Sequence, residues 1–329
     1  MQHINISTHK IKATSEQLQE MLEFYKGYLT YAPSNYVIAR AKLANCTITF
    51  YRTNVVLFQG LDELNEYNKW ANKFGLPVED TEETVHTDYS NLVAIGTDEV
   101  GTGDYFGPIV VCATYTTKES IEKLRHLGVK DSKLLTDKQM IPLALQISNI
   151  IPYSIIFLDP LKINSLQEKY DNLNFVKSYL HNKAINSILK KLGDVKYDAI
   201  LIDEFTPKEK YLKYLENQPN VVKNVTTVTK GEKEHIGIAA ASILARVAFL
   251  RELKKLSQEY NLDLLKGAGK EVDRAAISFV KSFGFAELKK VAKIKYANTE
   301  RIIEYFKENP LPKSRQVGLE EIKLKLNIE

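Results

Sequence analysis

The sequence has very little cysteine and no long apolar run. Only two of its 329 residues are cysteine, Cys46 and Cys112, and neither belongs to a C-x-x-C pair. This count argues against a disulfide framework and against a zinc site with cysteine ligands. The first residues lack the basic-then-apolar pattern of a signal peptide. No segment of about 18 apolar residues is present, so we expect a cytoplasmic protein without a membrane span.

The chain also lacks a strong excess of either charge. Lysine and arginine number 45 and aspartate and glutamate number 41, which gives a formal net charge of +4. Five acidic residues and no lysine or arginine lie in residues 76–91, so the rest of the chain is mildly basic. A basic excess favours a polyanionic partner, but a solvated surface of mixed charge explains so small an excess equally well. Charge alone therefore selects no partner.

The patterns indicate two units joined by an acidic linker. In the first part we predict two helices and three short strands, at 15–29, 36–41, 46–51, 55–58 and 61–73. Helical spacing of apolar residues and short alternating runs support these predictions. We expect a small α+β unit over residues 1–77, a linker over 78–91 and a second unit over 92–329.

In the second unit, strand-like and helical patterns alternate. The predicted strands and long helices lie at 92–97, 109–115, 151–158, 174–192, 199–202 and 234–256. The first two strands flank a glycine-rich turn and are expected to pair as a hairpin. Helices mixed with a partly parallel sheet predict an α/β fold.

Acidic residues end two of the predicted buried strands. Asp98 and Glu99 end the first, and Asp203 follows the strand at 199–202. Mg²⁺ prefers oxygen ligands, and two such ions about 3.5–4 Å apart can activate water and stabilise the leaving oxygen of a phosphodiester. Neighbouring strand residues face opposite sides, so Asp98 and Glu99 converge only if the strand ends or bulges there. Solvated acids that open a loop are the alternative, and it stays open here.

The glycines after this acidic pair suggest a dinucleotide fingerprint, but the pattern does not fit. The third glycine position is occupied by Phe106, and the turn leads into a strand rather than a helix. Gly101 and Gly103 instead allow backbone N–H groups to approach a sugar-phosphate chain closely. The sequence has no Walker A motif.

Five segments, in order along the chain, together resemble bacterial ribonuclease HIII, a type 2 ribonuclease H. They are DEVGTGDYFGP at 98–108, GVKDSKLL at 128–135, IDEF at 202–205, AAASILAR at 239–246 and LKGAGKEVD at 265–273. The first unit is similar to the TATA-binding-protein-like substrate-binding domain of that family. The resemblance covers essentially the whole chain. It implies a ribonuclease H-like catalytic domain, a mixed sheet flanked by helices, preceded by a small α+β domain.

The resemblance implies an endonuclease that cuts the RNA strand of RNA/DNA hybrids with two divalent ions, Mg²⁺ or Mn²⁺, and leaves 3′-hydroxyl and 5′-phosphate ends. The implied catalytic and metal-binding acids are Asp98, Glu99, Asp203 and Asp273. For the last of these, Asp263 and Glu271 are rivals, and a solvated helix surface is the alternative. No membrane and no obligate protein partner are expected.

The resemblance also implies residues that contact the hybrid. Gly101, Thr102 and Gly103 are implied to contact 2′-hydroxyls, the group that separates RNA from DNA. The implied backbone-phosphate contacts are Ser132, Lys133, Ser242 and Arg246. A surface lysine explains Lys133 equally well, and a small packing residue explains Ser242.

Two functions from other classes remain open at this point. One is a nucleic-acid-binding protein without turnover, which would bind hybrids without metal and leave them intact. The other is a metal-dependent phosphoesterase for DNA or a small phosphate, which would hydrolyse an all-DNA duplex.

Overall fold

The computed structural model describes residues 8–30, 36–60, 62–78, 88–129, 135–326 and 328. The chain divides into two compact units, Met1–Thr87 and Asp88–Glu329. Each unit has its own cluster of buried apolar side chains. Within the described ranges, no helix has both the length and the apolar character needed to cross a membrane.

The first unit is a five-stranded antiparallel sheet with two helices. Its elements are β1 Thr8–Lys12, α1 Ser15–Phe24, a 3₁₀ turn Lys26–Tyr28, β2 Leu29–Thr30, β3 Val37–Lys42, β4 Cys46–Tyr51, β5 Val55–Gly60 and α2 Glu63–Lys73. The strands lie in the order β1-β5-β4-β3-β2. Alternate strand residues such as Ile48, Phe50 and Phe58 pack with Met21 and Trp70 of the helices, because strand side chains alternate between faces.

Helix α1 is shorter than the predicted helix over 15–29. Its N-cap is Thr14, whose hydroxyl accepts a hydrogen bond from the Gln17 N–H while the Gln17 side chain accepts one from the Thr14 N–H. This reciprocal pair fixes the start of the helix. The helix ends at Phe24, and Leu29 already belongs to β2.

The second unit is a mixed five-stranded sheet between helices. Its elements are β6 Ala94–Val100, β7 Ile109–Thr116, α3 Lys118–His126, α4 Asp137–Ile150, β8 Tyr153–Leu158, α5 Pro160–Tyr170, α6 Leu173–Leu192, β9 Ala199–Asp203, α7 Lys208–Leu215, β10 Thr226–Val228, α8 Gly231–Glu234, α9 Ile236–Glu259, α10 Lys270–Phe283, α11 Phe285–Val291, α12 Ala297–Glu308, α13 Lys313–Gln316 and α14 Leu319–Leu326. The order is β10-β9-β6-β7-β8. Strands β6, β7 and β8 pair antiparallel, whereas β9 pairs parallel with β6 and with β10. The predicted hairpin and α/β fold are confirmed.

Helices α9 and α6 cover opposite faces of this sheet. Val110 and Cys112 of β7 belong to the buried cluster that contains α9. Ile109, Val111 and Ala113, which alternate with them, belong to the cluster that contains α6. Each strand residue therefore presents its side chain either to α9 or to α6.

Helix α9 approaches β6 closely at two glycines. A Cβ added to Gly96 would lie 2.7 Å from the Gly237 carbonyl carbon and from the Ile238 nitrogen. Thr114 Oγ1 donates a hydrogen bond to the Gly237 carbonyl at 2.8 Å. This contact places the first turns of α9 against the face of β6 that also carries Asp98, two residues after Gly96.

Candidate active site

Three carboxylates from three different elements lie together. Asp98 of β6, Asp203 of β9 and Glu232 of α8 each offer one oxygen, and these oxygens lie within 4.8 Å of one another. Strands β6 and β9 run parallel with Thr97 opposite Ile202. The next residue of each strand is an aspartate, so the register of the sheet brings the two aspartates side by side on one face.

Glu232 is the member of this cluster that sequence reasoning missed. It lies on the short helix α8, which follows a turn where Lys230 has φ +54. The N–H of Gly231 donates to Asp203 Oδ1 at 2.6 Å, so α8 lies against the end of β9. The available signal was an acid shortly before the AAASILAR segment, but a four-residue helix shows no periodicity that would identify it.

Burial and neighbouring charges act on Asp98. Burial raises its pKa well above the usual range, and the charges of Glu99 and Asp203 raise it further. A hydrogen bond from Ser242 on α9 opposes this shift. The same hydroxyl lies 3.3 Å from Glu232 Oε1. Negative carboxylate oxygens this close together repel one another, and a hard divalent cation bound between them relieves that repulsion, so these residues fit Mg²⁺ or Mn²⁺.

Glu99 faces the other side of the sheet from Asp98. Strand β6 neither ends nor bulges at this pair, because its regular pairing with β7 continues as far as Val100 opposite Val110. Consecutive residues of a regular strand point to opposite faces. The break that would let both side chains converge is therefore absent, and Glu99 is not a member of the three-acid cluster.

The Glu99 carboxylate is bound by two side chains of α6. Lys177 Nζ lies 3.1 Å from Oε1, and His181 Nε2 lies 2.9 Å from Oε2. Burial alone would raise the pKa of Glu99, but the hydrogen bond and charge of His181 and the charge of Lys177 outweigh burial and hold the pKa below its usual value. Glu99 is therefore an ionised carboxylate next to the cluster.

Asp273 also lies outside the three-acid cluster. It is in the first turn of α10, and its carboxylate accepts hydrogen bonds from Asn298 Nδ2 at 2.6 Å and from Arg301 Nε at 2.7 Å. Both oxygens are thus used to join α10 to α12. The rival acids Asp263 and Glu271 lie outside the cluster as well and are exposed.

The glycine-rich loop after β6 has a fixed backbone. Gly101 has φ +102, and a Cβ there would lie 2.3 Å from the Pro108 carbonyl oxygen, so only glycine fits. The Thr102 carbonyl accepts a hydrogen bond from the Tyr296 hydroxyl at 2.6 Å. A Cβ at Gly103 would meet no atom within 4 Å, so the backbone there borders open space.

The predicted phosphate contacts fall into two groups. Ser132 and Lys133 lie outside the described residues. Arg246 Nε lies 3.3 Å from Asp137 Oδ1, and Lys266 pairs with the same carboxylate. Arg246 and Ser242 both line a pocket of about 310 Å³ that also includes Glu232. Contact of either residue with phosphate stays a prediction.

Two family models match the chain. The model described as Ribonuclease HII matches residues 95–299, and the model described as Domain of unknown function (DUF3378) matches residues 8–85. The first match spans the three-acid cluster and the glycine-rich loop.

Proteins named Ribonuclease HIII from Enterococcus faecalis and from Geobacillus sp. are each 40% identical to this chain. The alignments cover 89% and 90% of this chain and 97% and 98% of the two relatives. The crystal structure described as Bst-RNase HIII in complex with Mn²⁺ has a TM-score of 0.66 and 34% identity, covering 92% of this chain and all of that one. These matches confirm the predicted fold class and show that this chain belongs to the ribonuclease HIII family.

Proposed function

We propose that this chain cleaves the RNA strand of RNA/DNA hybrids as a cytoplasmic endonuclease, with two divalent cations, Mg²⁺ or Mn²⁺, leaving 3′-hydroxyl and 5′-phosphate ends. The observation that carries the proposal is the cluster of Asp98, Asp203 and Glu232, whose oxygens lie within 4.8 Å of one another in a chain of this family. The Mn²⁺ complex described for a relative supports the choice of cation.

In this proposal the chain's own residues hold and orient the reacting groups. When bound, divalent cations lower the pKa of a water and stabilise the leaving oxygen of a phosphodiester. Asp98, Asp203 and Glu232 would hold the cations. The charges of Glu99, Asp203 and Glu232 all act on the Asp98 carboxyl group and raise its pKa beyond the effect of burial. Ser242 orients the carboxylate of Glu232.

The loop Gly101–Gly103 is proposed to contact the RNA strand and to distinguish it from DNA. The positive φ and close packing of Gly101 fix the backbone there, and the Tyr296 hydroxyl donates a hydrogen bond to the Thr102 carbonyl. A Cβ at Gly103 would meet no atom within 4 Å, so the backbone there is accessible. A fixed and accessible backbone suits contact with 2′-hydroxyls. Ser132, Lys133 and Arg246 are the proposed phosphate contacts on this unit.

Residues 1–77 are the proposed substrate-binding domain, joined by the linker 78–91 to a catalytic domain over 92–329. In the first unit's sheet, Ile11 and Ala41 face the buried side, so their neighbours face the other side. Those neighbours are Lys10, Lys12, Arg40 and Lys42. The described strands of this sheet contain no acidic residue. A basic sheet face suits the phosphates of a hybrid.

A cleavage panel tests the proposal. The full chain is incubated with end-labelled RNA/DNA hybrid, duplex DNA and duplex RNA, with Mg²⁺, with Mn²⁺ and with EDTA. We expect metal-dependent cleavage of the RNA strand of the hybrid alone. D98N, D203N and E232Q should each lose at least about 100-fold in rate, the scale of a lost transition-state contact, whereas D263N serves as the exposed-acid control.

Other outcomes identify the rival functions. Hybrid binding without metal and without cleavage would favour a binding protein, and hydrolysis of duplex DNA would favour a different phosphoesterase. Near-wild-type cleavage by any of the three cluster variants would remove that residue from the proposed site.

A further inference from the structure

The connector between helices α11 and α12, residues 292–296, lies along the glycine-rich loop between β6 and β7. The Lys293 N–H donates a hydrogen bond to the Tyr105 carbonyl at 2.9 Å, and the Gly107 N–H donates one to the Val291 carbonyl at 2.9 Å. These main-chain bonds pair the second half of the loop with a segment far along the sequence. The position of the loop therefore depends on the connector as well as on the two strands.

The side chain of Lys293 adds two hydrogen bonds to this pairing from a fully buried position. Its Nζ donates to the Gly107 carbonyl at 2.7 Å and to the Phe106 carbonyl at 3.3 Å, and the residue is 0% exposed. Burial lowers the pKa of Lys293 to about 7, and the charge of Asp104 opposes this shift. Either protonation state of the amino group has an N–H for each carbonyl, so both contacts persist when the proton is lost. Without Nζ, two carbonyls of buried residues would lose a donor, which costs free energy.

Tyr296, at the end of the connector, contacts the first half of the loop. Its hydroxyl donates a hydrogen bond to the Thr102 carbonyl at 2.6 Å. The Thr102–Gly103 peptide is trans. The carbonyl oxygen and the following N–H of a trans peptide lie in one plane and point in opposite directions, so this bond also sets the direction of the Gly103 N–H. Gly103 is exposed, so a ligand can approach this peptide group.

The glycine at position 103 increases the importance of this hydrogen bond. Without a Cβ, glycine reaches backbone conformations that other residues rarely adopt. A Cβ at Gly103 would meet no atom within 4 Å. Gly103 itself therefore gives little resistance to rotation of the Thr102–Gly103 peptide, whereas the Tyr296 hydroxyl holds the carbonyl oxygen of that peptide.

We propose that Tyr296 and Lys293 are positioning residues for RNA selectivity: Tyr296 sets the orientation of the Thr102–Gly103 peptide, and Lys293 holds the connector against the loop. This inference deepens the proposed function and rests on the contact between the loop and 2′-hydroxyls proposed there. A 2′-hydroxyl both donates and accepts hydrogen bonds, and DNA lacks it. A peptide group of fixed orientation can recognise that hydroxyl, whereas one that turns over loses part of the contact.

Selectivity and cation binding are separable in this arrangement. Neither Tyr296 nor Lys293 is a member of the three-acid cluster. Both contact the loop through backbone carbonyls. Removal of either side-chain group should therefore weaken recognition of the RNA strand while the affinity for Mn²⁺ stays at the wild-type value.

The test measures KM for cleavage of an end-labelled RNA/DNA hybrid by the full chain with Mg²⁺, together with the inhibition constant Ki of unlabelled duplex DNA of the same sequence. We expect Y296F to raise KM about fivefold, the scale of one hydrogen bond. Ki should stay at the wild-type value, because duplex DNA has no 2′-hydroxyl for the loop to contact. K293M should raise KM at least as much, because it removes both side-chain contacts to the second half of the loop.

Two variants of the same unit are matched controls. The Tyr115 hydroxyl donates to the Lys196 carbonyl at 3.0 Å, and Lys191 Nζ donates to the Tyr153 carbonyl at 3.2 Å. Tyr115 lies near the end of β7 that is away from the loop, and Tyr153 pairs with that same end. Y115F and K191M remove the same chemical groups from the same kind of acceptor, so both should keep the wild-type KM and Ki.

Several results would overturn the proposal. Equal increases in KM and Ki would indicate a general loss of affinity, and a wild-type KM for Y296F would remove Tyr296 from the recognition of RNA. A wild-type KM for K293M, with thermal unfolding in EDTA showing a folded variant, would do the same for Lys293. Loss of Mn²⁺ affinity by Y296F in titration calorimetry would show that the hydroxyl acts on the cation site instead.

The same assay separates this inference from the proposed function. If wild type cleaved no hybrid, the proposed function would fail. If wild type cleaved the hybrid with a KM well below the Ki of duplex DNA, and Y296F and K293M were equally selective, only the positioning role would fail.

Discussion

Replacing Asp98 with asparagine should stabilise the metal-free protein while it removes the proposed activity. An oxygen of Asp98 lies within 4.8 Å of oxygens of Asp203 and Glu232. At an effective dielectric constant of about 20, two unit charges 4.8 Å apart repel by about 3.5 kcal/mol. The asparagine Oδ1 still accepts the hydrogen bond that the Glu99 N–H donates to Asp98 at 2.7 Å. After screening by solvent, we expect a gain of about 1–3 kcal/mol in the free energy of unfolding.

The gain in the free energy of unfolding of D98N over wild type should increase with pH. The pKa of Asp98 is raised in the folded protein by burial and by the neighbouring acids, so the folded state holds this proton at a higher pH than the unfolded chain does. The wild type therefore loses stability as pH rises from the ordinary aspartate value of 3.8 through the raised pKa. D98N lacks this loss, so its advantage should be small near pH 4 and larger at neutral pH.

The assay is thermal unfolding of wild type, D98N and the exposed-acid control D263N, in EDTA and in Mn²⁺. A gain of 1 kcal/mol corresponds to about 2–4 °C for a unit of this size. Mn²⁺ should then stabilise wild type by mass action and D98N far less, which reverses their order. Unfolding of D98N at or below the wild-type temperature in EDTA, or equal stabilisation of both proteins by Mn²⁺, would refute this prediction.

Three further predictions concern other parts of the chain. D273N should lower the unfolding temperature, because the asparagine lacks the charge and the Oδ2 acceptor that pair with Arg301 Nε. It should retain hybrid cleavage at low temperature, and loss of cleavage in a folded D273N would contradict the three-acid site. G96A should lower the free energy of unfolding by about 1–3 kcal/mol, because the alanine Cβ would lie 2.7 Å from the Gly237 backbone. G269A is the control and should unfold like wild type, because a Cβ there would meet no atom within 4 Å. Deletion of residues 1–87 should weaken hybrid affinity and flatten its salt dependence in a binding assay; unchanged affinity would refute a binding role for that unit.

The strand acids could be predicted from the sequence because their positions follow from local patterns. Asp98 and Asp203 each follow an apolar β-branched run, and parallel neighbours bring such ends together. The opposite orientations of Asp98 and Glu99 follow from the same rule once the strand is known to stay regular. That regularity depends on pairing with β7 across a loop, which no local pattern encodes.

The remaining differences come from tertiary contacts and from short elements. Glu232 lies on four residues of helix whose position depends on the bond from Gly231 to Asp203. Strand β10 has only three residues, too few for an alternation to appear. Asp273 matched a family segment in sequence, but its partners Asn298 and Arg301 lie 25 and 28 residues away along the chain. Such a pairing is set by the packing of α10 and α12 rather than by spacing.

The most direct test of the cation site is anomalous diffraction from crystals of the full chain soaked in Mn²⁺. We expect a manganese peak enclosed by oxygens of Asp98, Asp203 and Glu232. A peak coordinated by Asp273 instead, or no peak at the three-acid cluster, would contradict it.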